Sequence, residues 1–319
     1  MNVLKFFFPI FFLLLAPILR VSAATDLDDI RDELKSNVSN SSIGAGYAQM
    51  LNFFVEPDIS ASRLTADDTD YDVFKIPLQF EIPMAERSWQ VAIRATLSHA
   101  QADSSVELGD LGIVDSDWEA YSGQLGAGLI MPFHTDWSAF VGAEFGISRL
   151  QNDADYLGEL GQAILPVLAD GILFNWDTNA RVAGITVGMG YATKYADKYD
   201  LDISGRYTQS HIASYSESRD LPSFNEHTGT FSLKADLVHP YGIAVADLPV
   251  FGKVHLGGTA FTGKNRDALG FTHFYELGYS VGLDLSRFGY KVKNVSIGYQ
   301  WNQGRDVEGY SVLLSWELN

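Results

Sequence analysis

The chain has 319 residues, no cysteine, and 40 acidic against 22 basic side chains, which gives a formal charge of −18. Hydrophobic residues make up 46% of the chain, so it is too apolar for a disordered acidic protein and long enough to bury a large core. The missing thiols exclude disulfide scaffolds and cysteine-ligated metals. The acidic balance argues against nucleic-acid binding, because phosphate contact needs a basic face.

The N-terminal residues 1–23 carry the three parts of a secretory signal peptide. Lys5 supplies the positive region, residues 6–19 form the apolar segment, and residues 21–24 offer small side chains for cleavage. We therefore expect the chain to be exported and residues 1–23 to be removed.

The next segment, residues 25–42, predicts an amphipathic helix and a linker. Leu27, Ile30, Leu34 and Val38 recur at helical spacing, and acidic residues crowd the first turn. Because a barrel follows in residues 43–319, this helix is a candidate plug for the barrel lumen, with its acidic side chains meeting basic wall residues. A loose periplasmic segment is the alternative.

From residue 43 onward, apolar and polar residues alternate with the period of two that is typical of β-strands. Eleven segments show the alternation clearly, and a weaker one precedes them. The pattern predicts twelve strands, at residues 43–55, 74–82, 89–97, 121–131, 137–147, 183–191, 199–207, 231–237, 254–260, 275–285, 295–301 and 310–318.

Alternation alone fits a soluble β-sandwich or barrel as well as a transmembrane barrel. The length of the strands favours the membrane, since about 9–11 residues cross a bilayer whereas strands of soluble sheets usually have five or six. Aromatic side chains also stand at strand ends, where an interfacial girdle would lie. These residues are Trp89, Trp137, Tyr199, Trp301, Tyr310 and Trp316.

The connections between the predicted strands alternate in length. Residues 83–88, 132–136, 194–198 and 286–291 are short turns, whereas residues 56–70, 100–119, 150–179, 210–226 and 262–272 are long and mostly acidic. Short periplasmic turns and longer extracellular loops are typical of outer-membrane barrels. The sequence therefore predicts an all-β fold, a twelve-stranded antiparallel transmembrane β-barrel with a short N-terminal helix, in the bacterial outer membrane.

The mature chain as a whole resembles the translocator β-domains of bacterial autotransporters. The short segment before the barrel, together with residues 163–168 (AILPVL) and 171–176 (GILFNW), resembles the subgroup of solitary, passenger-free barrels. The resemblance implies a non-enzymatic barrel with a helix in its pore, inserted by the barrel-assembly machinery through the C-terminal strand. The chain departs from the family pattern at one point. Outer-membrane barrels usually end in an aromatic residue that the assembly machinery reads, whereas here the last aromatic residue is Trp316 and the chain continues to Asn319.

Charged residues are frequent on the polar stripe, where we expect them to line the lumen. They are expected to pair across the pore or hold the helix, and their excess of acids favours cations if the pore is open. The predicted lumen charges are Lys75, Glu81, Arg94, Glu144, Asp200, Asp202, Arg206, Lys234, Asp236, Lys253, Glu276 and Asp284.

Several patterns in the sequence are candidates for catalysis. Residues 278–282 match the G-x-S-x-G string of hydrolases, but Ser280 lies in a predicted strand and not at a strand-to-helix turn, so chance is the favoured explanation. His255 is interpreted as a polar wall residue. A lipid hydrolase needs at least a general base near a hydroxyl group. Such groups occur at Ser210 and His211, and at Asn225 and His227 beyond the following loop. An omptin-like protease would need paired aspartates and a His–Asp dyad at the outer rim. Asp67 and Asp68 supply such a pair, but acidic loops are common, and an ordinary loop is the favoured interpretation.

The acidic segment 100–119 could hold Ca²⁺ or Mg²⁺ against lipopolysaccharide, although a solvated loop is the favoured interpretation. No zinc motif, metal site or cofactor is expected. The favoured function is a non-enzymatic barrel in contact with outer-membrane lipid and lipopolysaccharide. A small cation-preferring diffusion pore is the first alternative, and an outer-membrane lipid hydrolase is the second.

Overall fold

A computed structural model describes residues 27–39, 50–51, 59–66, 69–84, 88–196, 198–217, 221, 223–263, 266–288 and 292–318. The predicted signal peptide, residues 1–23, lies outside the described residues. Within the described part of the chain, no helix has the length and hydropathy needed to cross a membrane.

Twelve antiparallel strands form one closed barrel, in which each strand pairs with its neighbours in sequence and β1 pairs with β12. This confirms the predicted fold class. The strands are β1 Ile59–Ala66, β2 Thr69–Pro83, β3 Gln90–Glu107, β4 Ile113–Pro132, β5 Trp137–Leu157, β6 Trp176–Tyr195, β7 Tyr199–Glu217, β8 Asn225–Val245, β9 Leu248–Thr262, β10 His273–Asp284, β11 Val292–Gln303 and β12 Glu308–Leu318.

The two faces of the barrel wall have opposite character. Apolar side chains face outward, as Leu125 and Phe145 do with 68% and 62% of their surface exposed. Polar side chains on the alternate positions face inward, and even Lys75 is only 5% exposed. A soluble barrel would have the reverse arrangement, so the outward stripe is suited to lipid.

Six strands, β3 to β8, have between 18 and 21 residues and are longer than a bilayer crossing requires. On β5 the outward face is apolar from Trp137 to Ile147 and then carries Arg149, Asp153 and Asp155. The barrel wall therefore continues beyond the apolar band at one end. We call this end, which contains the β3–β4 and β5–β6 connections, the acidic end, and the opposite end the short-turn end.

This extension corrects the predicted loops. Most of residues 100–119 belong to β3 and β4, joined by a 3₁₀ turn at Gly109–Leu111, because the Asp- and Ser-rich segment keeps its alternation. Much of residues 56–70 is likewise strand, since β1 and the start of β2 occupy it. At the short-turn end, β8 and β9 extend to a two-residue turn, where Ala246 and Asp247 both have positive φ.

The predicted first strand at residues 43–55 is wrong at Met50 and Leu51, which are helical, and the rest of that segment lies outside the described residues. The first strand of the barrel is β1, a short segment rich in serine and threonine. Two longer helices lie within the described residues: α1, Leu27–Ser39, close to the predicted helix, and α2, Glu159–Leu168, between β5 and β6.

Candidate functional site

The lumen has a polar layer toward the short-turn end. The twelve predicted lumen charges stand on the inward-facing positions of their strands, with Glu81, Asp200 and Asp284 close to the short turns. Arg94 donates a hydrogen bond to Gln79 (3.2 Å), which in turn donates to Glu81 (2.9 Å). Ion pairs also form between neighbouring strands: Lys253 with Asp236 at 3.7 Å, and Lys194 with Asp200 at 3.4 Å.

The predicted interfacial aromatics stand at two levels of the wall. Trp89, Trp137, Tyr199 and Trp316 lie near the short turns, and Trp301 and Tyr310 lie opposite each other near the acidic ends of β11 and β12. Between these levels the outward face is apolar, as on β5 from Trp137 to Ile147. Amphipathic rings at both edges of an apolar band match the two interfaces of a bilayer.

At the acidic end, the lumen is filled by apolar side chains. One buried cluster joins inward-facing residues of nine strands, β1 to β7, β9 and β10, with residues from the connections. Met50 and Leu51 of the N-terminal region also belong to it, with only 3% and 1% of their surface exposed. We call this cluster the apolar plug; it consists of Met50, Leu51, Leu64, Ala66, Tyr71, Val73, Ala100, Ala102, Ala120, Leu150, Trp176, Ala180, Val182, Ile212, Leu221, Phe261, Leu269, Phe271, Phe274 and Val307.

The β9–β10 connection is folded into this plug. Phe271 packs against Tyr71, Phe261 and Phe274, with ring centroids 5.8–6.2 Å apart. The Tyr71 hydroxyl donates a 3.1 Å hydrogen bond to the Leu269 carbonyl. Since a buried Phe contributes about 3–5 kcal/mol relative to Ala, the connection is held firmly.

The helix α1 packs against the β5–β6 connection. Leu34 is buried with Val114, Leu165 and Ile172, and the Arg31 guanidinium donates 2.7 Å hydrogen bonds to the carbonyls of Val167 and Asp170. The described acidic residues of α1, Asp29, Asp32 and Glu33, are exposed. These acids do not meet basic lumen residues as predicted, because the apolar face of α1 is the one that docks.

A hydrogen-bonded cluster shapes the connection that receives α1. The Tyr156 hydroxyl donates to Asp170 Oδ1 at 2.5 Å, and the Asn175 side chain donates to the same oxygen at 2.8 Å. Burial, followed by the hydrogen bond to Asp170 and its charge, raises the pKa of Tyr156, which lies beyond the apolar band. Tyr156 therefore stays a proton donor at physiological pH.

Outward-facing carboxylates form rows around the acidic end. Asp70, Asp103, Asp117 and Asp153 stand directly opposite one another on β2 to β5. Burial, then the charges of Asp103 and Glu119, raises the pKa of Asp117. Within the described ranges, no group of three or more His, Asp or Glu side chains is placed to hold a metal ion. The predicted Asp67 and Asp68 pair lies outside those ranges.

The predicted lipid-hydrolase constellation does not assemble. His211 Nε2 donates a 2.6 Å hydrogen bond to Asn225 Oδ1, and its ring is tilted against that of His227 with centroids 4.7 Å apart, all on the outer face. Ser210 is the adjacent residue of β7 and is 98% buried on the inward face. Because neighbouring residues of a strand point to opposite faces, Ser210 cannot give its proton to His211.

A different triad assembles in the lumen wall, from the predicted lumen charge Asp236, the predicted wall residue His255, and Ser280 of the G-x-S-x-G string. His255 Nε2 lies 2.6 Å from Ser280 Oγ, and His255 Nδ1 lies 2.6 Å from Asp236 Oδ1. The three residues come from β10, β9 and β8, and only the strand register brings them together. The alternation in the sequence predicts that all three side chains face the lumen, but it does not predict which residues of neighbouring strands are paired.

Comparisons with known proteins agree with the architecture. The sequence profile of a family described as the solitary outer membrane autotransporter beta-barrel domain matches residues 54–318. No curated protein sequence matches the chain.

Among solved structures, the translocator domain of the autotransporter NalP from Neisseria meningitidis is 12% identical, with a TM-score of 0.55 over 86% of this chain and 97% of that one. The β-domain of the Bordetella autotransporter Brka is also 12% identical, with a TM-score of 0.49 over 82% and 96% of the two chains. The NalP structure shows the same fold, and the profile covers most of the chain. The chain belongs to the family of solitary outer-membrane autotransporter β-barrel domains.

Proposed function

We propose that this outer-membrane barrel is a passenger-free, non-conducting barrel that holds an acidic extension of its own wall at the cell surface. The observation that carries the proposal is the apolar plug, to which nine strands, the β9–β10 connection and Met50–Leu51 contribute. An apolar constriction excludes water, and ions do not pass where water is excluded. In this function the barrel acts by its shape and surface and needs no catalysis.

The proposal places the acidic end in the medium and the short turns in the periplasm. The even number of strands places both ends of the barrel on the same side of the membrane, which for an exported chain is the periplasmic side, and long connections are typically extracellular. The apolar band would contact outer-membrane lipid, the acidic end would stand among lipopolysaccharide headgroups, and β12 would be the strand that the assembly machinery reads.

Single-channel recording on the full chain in planar bilayers tests the proposal. We expect the wild-type protein to show no steady conductance. Replacing both Leu269 and Phe271 with alanine removes two side chains from the plug, and we expect this variant to show steady openings that prefer cations, since the polar layer has more acids than bases.

The matched control replaces Phe231 and Leu233 with alanine. These side chains are of the same kind but face outward, so this variant should stay closed. Steady, cation-selective conductance of the wild-type protein would instead support the small diffusion pore and contradict the sealed barrel.

A further inference from the structure

Three inward-facing side chains form a hydrogen-bond chain that sealing the barrel does not require. We propose that Asp236, His255 and Ser280 are a serine-type acyl-transfer site in the lumen that hydrolyses carboxylic esters reaching it from the short-turn end. This activity is independent of the sealed pore, because the site lies below the plug. Phe274 of the plug precedes Ser280 by six residues on β10, about 20 Å along the strand.

The geometry assigns each residue the role it has in a serine hydrolase. The imidazole of His255 has the hydroxyl of Ser280 at Nε2 and the carboxylate of Asp236 at Nδ1, both at 2.6 Å. In a serine hydrolase the base lies between the nucleophile, whose proton it takes, and the carboxylate that orients it, with hydrogen-bonding distances to both. His255 is 91% buried, so its ring is held in this orientation.

The surroundings of Ser280 leave room for the hydroxyl in this position. Gly278 and Gly282 flank Ser280 on the same face of β10, and Gly298 lies directly opposite it on β11. A Cβ atom at Gly298 would lie 2.2 Å from Ser280 Oγ, so any side chain there would displace the nucleophile. The glycines of the G-x-S-x-G string in residues 278–282 therefore leave space beside the serine within a strand, whereas in other hydrolases the string forms a strand-to-helix turn.

A positive charge stands beside the site. Lys253 is directly opposite Ser280 on β9, and its Nζ lies 3.7 Å from Asp236 Oδ2. Its ammonium group is suited to stabilise the negative oxygen that develops when the serine attacks a carbonyl. Phe251, whose ring lies over Gly282, provides an apolar contact for an acyl group on the side of the short turns.

The reaction balances without a further reagent. Ser280 Oγ attacks the ester carbonyl carbon while His255 Nε2 takes the hydroxyl proton; the bond to the alcohol oxygen then breaks, and the alcohol leaves with that proton. Water next attacks the acyl-serine, gives a proton to His255, and the carboxylic acid departs as Ser280 regains its proton. Because Ser280 is only 1% exposed, the ester must move aside the side chains that cover it.

A small alkyl fluorophosphonate, applied to the folded full chain in detergent, tests the proposal, with the labelled peptide mapped by mass spectrometry. We expect the label on Ser280, together with hydrolysis of p-nitrophenyl butyrate. Ser280→Ala should abolish both, and His255→Gln should slow both by about 100-fold or more, the scale of general-base catalysis.

Asp236 is a positioning residue, so Asp236→Asn should slow labelling and Asp236→Glu should restore part of the rate. The matched control is Ser296→Ala, which removes a lumen serine that bonds Ser315 at 2.6 Å and should change neither readout. Heat-modifiable gel mobility confirms that each variant is folded. Absence of label on Ser280 in the folded wild-type protein, or labelling unchanged by His255→Gln, would overturn the proposal.

Discussion

Two aspartates of one outward-facing region have opposite electrostatic surroundings. Asp117 stands between Asp103 and Asp153 on the neighbouring strands, and burial followed by nearby acids raises its pKa. Asp70 accepts hydrogen bonds from Thr65 (2.7 Å) and Arg63 (3.1 Å), which lower its pKa. The charge of Asp117 therefore destabilises the folded acidic end at neutral pH, whereas that of Asp70 stabilises it.

This contrast predicts opposite effects of the same substitution. At pH 7, Asp117→Asn should slow amide hydrogen exchange in the β3–β4 hairpin, and Asp70→Asn should speed exchange in the β1–β2 hairpin. Each change should be about threefold, because both side chains are only half-buried and interactions between such charges contribute no more than about 1 kcal/mol. Faster exchange in Asp117→Asn would contradict the account.

Acidification supplies the second readout for these residues. The charged form of Asp117 destabilises the folded state at neutral pH. As the pH falls through its raised, folded-state pKa, protonation relieves this destabilisation, which is gone below its unfolded-state pKa. The stabilisation from Asp70 is present above its unfolded-state pKa and is lost as the pH falls through its lowered, folded-state pKa. The protection factors of the β3–β4 amides, which remove the intrinsic pH dependence of exchange, should therefore rise on mild acidification in the wild-type protein, and rise less in Asp117→Asn.

The N-terminal helix is the element whose docking the structure explains most directly. Leu34 is 98% buried against the β5–β6 connection, so Leu34→Ala should weaken docking by about 2–5 kcal/mol. We expect trypsin to cleave this variant faster after Arg31 and Lys35. Glu33→Ala, at the exposed neighbouring position, is the matched control and should be cleaved at the wild-type rate. Equal cleavage of both variants would show that Leu34 does not hold the helix.

The environment of each element decides how well the sequence predicts it. Segments such as residues 137–147 alternate between large apolar and small polar residues, because lipid and lumen impose opposite requirements, and the pattern located them well. The extensions did not stand out, because Asp103, Asp115 and Asp117 face water on the outer side and read as loop composition. In β1 the alternation involves serine and threonine, so it was weak.

The candidate site needed information that alternation does not contain. The inward positions of Asp236, His255 and Ser280 could be predicted, since each belongs to the polar stripe of its strand. Their contact depends on the pairing of Asp236 with His255 and of Lys253 with Ser280, which a shift of two residues would break while keeping every side chain on the same face. The plug likewise depends on how the connections fold inward.

At the scale of the whole molecule, composition and architecture agree. The formal charge of −18 coexists with 46% hydrophobic residues because the apolar side chains cover an outward band and the carboxylates stand at the lumen and at the acidic end. The surface that a soluble protein would bury inside is here the surface offered to the bilayer. The molecule is thus defined by an apolar face turned outward and a polar face turned inward.

Because the chain has no cysteine, single-cysteine spin labelling of β5 in reconstituted bilayers measures this orientation residue by residue. Labels at Val141, Ala143, Phe145 and Ile147 should be accessible to lipid-dissolved oxygen, and labels at the inward positions Ser138, Phe140 and Glu144 should be shielded from it, with a period of two along the strand. The opposite phase, or equal accessibility at all seven positions, would contradict a barrel whose apolar stripe faces lipid.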